Sequence, residues 1–239
     1  MSTPNQLTVL ILGSGGREHA MAHRVQHSLL CSRLLVSPGN GGMPGEHFRV
    51  AADDVPGIVS LCQKEKVDLV LIGPEKALAA GVVDALSAIG VKAFGPTKQL
   101  AEIESSKVYS RELAAQLEIP GPRFATFDKG AHQLAIAWWK QLNAPIVVKQ
   151  SGLAGGKGVV VPDNEAETEA AIMDACAIGE VVLEEMLRGS ECSLMALCDG
   201  VIAVPLPIAQ DHKRIGEGDL GANTGGMGAY APVSVPYAL

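Results

Sequence analysis

Gly13-Ser14-Gly15-Gly16-Arg17-Glu18 follows a short apolar run and opens a helix-like stretch. Backbone N–H groups and a helix N-terminus in that setting can cradle an anion, so a phosphate-bearing substrate is expected there. The loop departs from a dinucleotide fingerprint in two places. The third glycine would stand at position 18, which is Glu18, and the second strand ends in Ser37-Pro38, with no acid to hold a ribose hydroxyl. A nicotinamide cofactor is therefore disfavoured, and a tight structural turn is the plain alternative. A second glycine-rich loop, Ser151-Gly152-Leu153-Ala154-Gly155-Gly156-Lys157-Gly158, lies between strand-like segments. It is not a Walker loop, because Lys157 is followed by Gly158 and then by a strand. Such a loop can close over a triphosphate with N–H donors and one point charge. Lys149 interrupts the apolar run Ile146-Val147-Val148. A buried Lys needs an anion, here a nucleotide phosphate or a structural salt bridge.

Glu184 and Glu185 end the apolar strand that begins at Val181, and Glu191 follows a Gly-Ser turn. Their carboxylates can accept from an adenine amino group or ribose hydroxyls, with a solvated strand end as the alternative. The most unusual segment runs from Pro207 through Asp211, His212, Lys213, Arg214 and Asp219 to Asn223, Thr224 and Tyr230. It is polar, glycine-rich and without clear period, so it reads as a long functional loop. Lys213 and Arg214 suit a phosphate or carboxylate. His212 suits acid–base work or a structural hydrogen bond.

These residues need elements to hold them. The first hundred residues alternate strand-like and helix-like segments. Strands are expected at Leu7–Leu12, Arg33–Ser37, Leu69–Ile72 and Val91–Phe94, with helices at Arg17–Ser28, Val55–Lys66 and Leu78–Ile89. Fully apolar strands alternating with helices imply a parallel sheet covered on both faces. Ligands then bind at the carboxyl edge, where Pro38-Gly39-Asn40 and Gly73-Pro74-Glu75 join the first glycine loop. A helical stretch, Lys98 to Leu117, carries the domain boundary near Glu104. Beyond it come strands at Arg123–Phe127, Ile146–Gln150, Gly158–Val161 and Val181–Glu185, with helices at Ala131–Leu142 and Glu165–Ala177. Glu191–Leu197 and Val201–Val204 flank Asp199-Gly200, a hairpin signal. This second part reads as α+β with antiparallel pairing.

Composition bounds the function. The 239 residues carry 19 Lys and Arg against 26 Asp and Glu, a net charge of −7, with 4% aromatics. Such a chain is a poor candidate for broad nucleic-acid or membrane-surface binding. The five cysteines (Cys31, Cys62, Cys176, Cys192 and Cys198) show no CxxC pair or zinc spacing, so reduced thiols in or near the core are expected. Met1 to Gln6 shows no secretory signal, and no apolar run reaches the roughly 18 residues of a membrane span. A cytoplasmic location is expected.

Several motifs occur in order: GSGGREHA (Gly13 to Ala20), SPGN (Ser37 to Asn40), GPE (Gly73 to Glu75), LAAG, FGP and ESSK (Glu104 to Lys107). They continue with VVK (Val147 to Lys149), SGLAGGKGV, LEEMLRGSECS (Leu183 to Ser193), AQDHKR and NTGGMGAY. On these residues the chain resembles glycinamide ribonucleotide synthetase (phosphoribosylamine–glycine ligase), an ATP-grasp family of purine synthesis. The resemblance implies an α/β fold: an N-terminal, Rossmann-like parallel-sheet (pre-ATP-grasp) domain over 1–104, then an incomplete α+β ATP-grasp domain over 105–239 with a lid at about 123–190. It implies that ATP, glycine and 5-phosphoribosylamine give glycinamide ribonucleotide, ADP and phosphate through a glycyl phosphate. Gly13, Ser14, Gly15, Gly16, Arg17, Glu18, Pro38, Gly39, Asn40, Gly73, Pro74 and Glu75 would hold the phosphoribosyl group. Lys107 and Lys149 would touch ATP phosphates under the lid loop, of which Ser151, Gly152, Gly155, Gly156, Lys157 and Gly158 are the binding positions. Glu184 and the backbone of Glu185, Met186 and Leu187 would meet adenine, and Glu191 the ribose. Asp211, Lys213, Arg214, Asp219, Asn223 and Thr224 would shape the glycine and acyl-phosphate region.

The family also implies Mg²⁺ or Mn²⁺ as cofactor, a monomer, and no nucleic-acid or membrane partner. Family members continue past NTGGMGAY with further sheet strands, a Glu and Asn that bind the metal, and a small final domain. The chain is therefore expected to be a fragment with no metal ligands of its own, an unpaired sheet edge and exposed apolar surface. An inactive remnant that binds ATP or a phosphoribosyl ligand is the alternative to a working ligase.

Overall fold

Leu7–Gly13 is a run of apolar residues closed by glycine, and it forms the central strand β1 of the first sheet. The computed structural model describes residues 6–152, 158–218 and 220–234, with Asn223 through its backbone alone. The chain divides into two units, Met1–Leu117 and Glu118–Leu239.

In the first unit β1 is followed by α1 (Gly16–Val25), β2 (Cys31–Pro38), β3 (Glu46–His47), α2 (Val55–Glu65) and β4 (Leu69–Ile72). Then come α3 (Glu75–Ala80), α4 (Val82–Ala88), β5 (Lys92–Phe94), α5 (Glu102–Ser105) and α6 (Lys107–Gln116). The strands pair in parallel in the order β3-β2-β1-β4-β5, as the alternation of apolar runs and helices requires. Leu10 and Leu12 point into one core with Leu35, Ile58 and Leu86, and Val9 and Ile11 into another with Ala22 and Val36. Both sheet faces are thus covered. The chain leaves β1 toward β2 on one side and returns as β4 on the other, so the carboxyl ends of β1 and β4 form the switch point where such sheets bind ligands.

Two expected helices are broken, each for a local reason. Gly81 takes φ 90°, ending α3 and starting α4 within the stretch read as one helix over Leu78–Ile89. Ser106 is extended at φ −127°, ψ 112°, and its hydroxyl accepts the Tyr109 N–H at 3.1 Å, so α6 begins afresh there.

The second unit holds β6 (Phe124–Phe127), α7 (His132–Leu142), β7 (Ile146–Gln150), β8 (Val159–Val160), α8 (Glu165–Ile178) and β9 (Val181–Glu185). The strands form an antiparallel sheet in the order β6-β9-β7-β8. Ala135 and Trp139 of α7 and Ile172 and Cys176 of α8 pack on Ile146, Val148, Val181 and Leu183. Strand period then turns Lys149, Val182 and Glu184 to the opposite face.

The hairpin β10 (Ala196–Cys198) and β11 (Ala203–Pro205) forms around Asp199, whose Oδ1 accepts the Val201 and Ile202 N–H groups. The segment from Pro207 corrects the expectation of a loop. Gln210–Gly216 and Leu220–Tyr230 pair antiparallel as β12 and β13. Register shifts flank Arg214, and glycines recur along β13, so the two-residue alternation that marks a strand is lost from the sequence. Side chains pin the hairpin instead: Arg214 Nη1 donates to Gly221 O at 2.7 Å, and Tyr230 Oη to Gln210 Oε1 at 2.6 Å. No described residue after Glu184 is buried, and apolar side chains such as Val201 (91% exposed) and Leu220 (67%) face outward.

The cysteines depart in part from expectation. Cys62 and Cys176 are buried, but Cys192 and Cys198 are exposed, because the hairpin segment has no core to take them. No helix among the described residues is long and apolar enough to cross a membrane.

Candidate functional site

The three loops expected to hold the phosphoribosyl group meet at the carboxyl edge of the parallel sheet. Gly39 N–H donates to Gly13 O at 3.2 Å, and Gly73 N–H to Leu12 O at 3.2 Å. Asn40 Nδ2 donates to Ser14 O at 2.9 Å, while its Oδ1 accepts the Gly42 N–H at 3.0 Å. Arg17 Nη2 reaches Glu75 Oε1 at 2.9 Å on the exposed side. Burial acts to raise the Glu75 carboxyl, but its own backbone N–H and Arg17 outweigh that and hold it below the usual carboxylate range. Pro74 is the extended N-cap of α3. Gly16 is open, with nothing near the place a Cβ would take.

Glu18 lies elsewhere than expected. Its side chain is buried beneath the loops, and its Oε2 accepts the Gly15 N–H at 2.7 Å. The N-cap amide of α1 is therefore already satisfied by an internal carboxylate and is not open to a phosphate. Two supports of this edge had no local signal. Ser37 is fully buried and ties β2 to Val50 through Oγ, 2.8 Å from Val50 O. The His19 ring lies 2.9 Å from where a Cβ on Gly42 would stand.

In the second unit Lys149 Nζ lies 2.7 Å from Glu184 Oε2. The expected phosphate ligand and the expected adenine ligand are thus an ion pair on one sheet face, with Glu184 4% exposed. Glu185 turns the other way and is held by Arg123, at 2.8 and 3.0 Å to its two oxygens. That bidentate partner, before β6, holds the Glu185 carboxyl below the usual range. The stretch of backbone expected to meet adenine also narrows. The Glu185 N–H donates to Arg123 O and the Met186 N–H to Pro145 O, so two of the three expected amides are already engaged within the chain.

Ser151 N–H is taken by Glu180 O at 2.8 Å, Gly152 has φ 103°, and Gly158 O accepts the Gln150 N–H. Gly155, Gly156, Lys157 and Asp219 lie outside the described residues, as does the Asn223 side chain. Lys213 Nζ contacts Glu191 Oε1 and stands 3.6 Å from Asp211 Oδ1, so residues expected around ribose and acyl phosphate cluster. The Glu191 carboxylate foremost pushes the Lys213 ammonium above its ordinary range. Thr224 Oγ1 donates to Lys213 O at 2.8 Å. Lys107 opens α6 in the first unit.

Comparison with known proteins accounts for both units. Residues 7–104 match the phosphoribosylglycinamide synthetase N domain, and residues 105–238 match the ATP-grasp (A) domain of the same synthetase. The chain belongs to the phosphoribosylglycinamide synthetase family. A phosphoribosylamine–glycine ligase of Mesorhizobium japonicum is 46% identical over 96% of this chain and 55% of its own length. One from Synechocystis sp. is also 46% identical, over 96% of this chain and 56% of its length. The chain therefore spans little more than half the length of these relatives. The crystal structure of the Thermotoga maritima phosphoribosylamine–glycine ligase superposes with TM-score 0.76 at 30% identity, over 96% of this chain and 56% of that one. An N5-carboxyaminoimidazole ribonucleotide synthetase in complex with ADP shares the fold, with TM-score 0.68 at 20% identity over 92% of this chain and 58% of that one.

The two domain matches meet at residue 104, whereas the compact units divide at Leu117, so α6 matches the ATP-grasp domain but lies in the first unit. Among the described residues no group of three or more His, Cys, Asp or Glu stands together, and Asp211 and Glu191 are engaged with Lys213.

Proposed function

We propose that this chain carries the ATP- and phosphoribosylamine-binding parts of an ATP-dependent carboxylate–amine ligase. The reaction joins glycine to 5-phosphoribosylamine and gives glycinamide ribonucleotide, ADP and phosphate. A glycine carboxylate oxygen attacks the γ-phosphorus of ATP, ADP leaves, and glycyl phosphate forms. The amine of phosphoribosylamine then attacks the acyl carbon, losing a proton as phosphate departs.

The observation that carries this reading is the half-buried Lys149–Glu184 pair in the unit that matches the ATP-grasp domain. A triphosphate supplies Lys149 with another anion, and an adenine amino group supplies Glu184 with another donor. The pair can therefore part without leaving either group unsatisfied. The Leu187 N–H would donate to the base. Ser151, Gly152 and Gly158 would stand at the base of the lid loop. Glu191 would take the ribose, freeing Lys213, which with Asp211, Arg214 and Thr224 would neutralise the acyl phosphate. The loops at Gly13–Arg17, Pro38–Asn40 and Gly73–Glu75 would hold the phosphoribosyl group, with Glu18 buried beneath them. ATP would act with Mg²⁺ or Mn²⁺. A cytoplasmic monomer belongs to the same reading, and the relatives' names support small-molecule substrates.

The test is isotopic. Glycine labelled with ¹⁸O in its carboxylate is supplied with ATP, a divalent cation and phosphoribosylamine formed in situ. Transfer of label to phosphate, with ADP release dependent on both substrates, is expected. ADP release indifferent to glycine, or unlabelled phosphate, would contradict the reading.

A further inference from the structure

Glu18 is 5% exposed, and its carboxylate lies at the carboxyl edge of the sheet where an incoming anion was expected. Three glycines from three elements close around it. A Cβ added to Gly13 would lie 2.5 Å from Glu18 Cγ and 2.7 Å from Cδ. One added to Gly15 would lie 2.9 Å from Oε2, the oxygen that already accepts the Gly15 N–H. At Gly73 the three nearest atoms are Glu18 Oε1, Cδ and Cγ, all far inside ordinary contact distance. Gly13 ends β1, Gly15 caps α1, and Gly73 follows β4.

We propose that Glu18 is a positioning residue: its buried side chain locks the turn at Gly13–Gly16 to the turn at Gly73–Glu75 and does not itself touch the ligand. The ligand-facing groups of both turns then stand at fixed places before anything binds, which lowers the ordering cost of binding. Gly73 is a glycine for steric reasons. Its φ lies outside the left-handed region, so a positive φ is not what calls for glycine there, and the three atoms nearest to an added Cβ all belong to Glu18. That separates it from Gly13, where φ is 124° and any side chain is strained.

The test has an arm without ligand and an arm that rests on the phosphoribosyl reading. In the first, unfolding midpoints are measured for Gly73→Ala, Glu18→Ala and the double variant, with amide exchange followed at residues 13–16 and 73–75. Gly73→Ala is expected to lower the midpoint in the wild-type background and to have little further effect beside Glu18→Ala. Additive effects would overturn the proposal. Faster exchange in both turns of Glu18→Ala is expected, and unchanged exchange would overturn it. In the second arm ribose 5-phosphate and ATP are titrated separately. Glu18→Ala is expected to weaken ribose 5-phosphate at least tenfold while leaving ATP within twofold, a split that general destabilisation would not give. Glu18→Gln, which keeps an acceptor for the Gly15 N–H, is expected to bind ribose 5-phosphate within threefold of wild type. Glu18→Gln as weak as Glu18→Ala would mean that the charge itself meets the ligand and would overturn the proposal. Should the wild type bind no ribose 5-phosphate, the phosphoribosyl reading fails, and the first arm alone decides the role of Glu18.

Discussion

Lys149 and Glu184 are 35 residues apart in the chain and meet because Lys149 pairs with Val182 across β7 and β9, two residues from Glu184 on the same face. Their side chains are 24% and 5% exposed, so removing one partner strands a charge in a poorly hydrated place. Lys149→Met is expected to destabilise the second unit by about 3–5 kcal/mol, and Lys149→Met with Glu184→Met by clearly less. Denaturant unfolding of the two variants checks this. Arg123 and Glu185 make a different kind of pair at the sheet edge, with the guanidinium exposed and the carboxylate half-buried. The folded Glu185 carboxyl is held below its ordinary value by Arg123, so its contribution is present above the unfolded carboxylate pKa and is lost as pH falls through the folded one. Between roughly pH 5 and 3 the wild type should lose more stability than Arg123→Gln, and unfolding midpoints across that range read the difference. Neither partnership was legible locally. Lys149 announced the need for an anion, but both a phosphate and a salt bridge met that need on paper. Arg123 gave no signal, because its partner lies 62 residues on.

At the scale of elements, apolar continuity was the reliable guide. Strands β4, β7 and β9 begin and end where their sequences change character, since Leu69–Ile72, Ile146–Gln150 and Val181–Glu185 are bounded by turn or polar residues. Helix continuity misled, because Gly81 and Ser106 break helices by backbone conformation and capping rather than by hydrophobic pattern. At Gly81 a Cβ would meet only ordinary contacts, so the cost of a side chain there is the left-handed φ of 90°. Gly81→Ala should therefore cost about 1–2 kcal/mol, measured as a drop in unfolding free energy without loss of helical signal. The hairpin β12–β13 was hidden for the converse reason. Its strands bury nothing among the described residues, so no face imposes an apolar alternation, and bulges around Arg214 shift the register.

Across the whole molecule the first unit has a parallel sheet with a core on each face, whereas the second has its core between one sheet and two helices. A two-stranded hairpin is marginal in water without a further layer, and β10 to β13 form two such hairpins with apolar side chains outward. The sequence carried the family through its ordered motifs, and the two matched domains agree with it. It could not show which expected ligands pair with each other, since that depends on strand register. On the proposed function, the second unit holds a nucleotide through Lys149. Calorimetric titration of ATP into the 239-residue chain tests it, with Lys149→Met and Arg17→Gln alongside. Saturable binding of one ATP is expected, weakened at least tenfold by Lys149→Met and unaltered by Arg17→Gln. Folded wild-type chain that binds no ATP, or Lys149→Met that binds as well as wild type, would contradict the account.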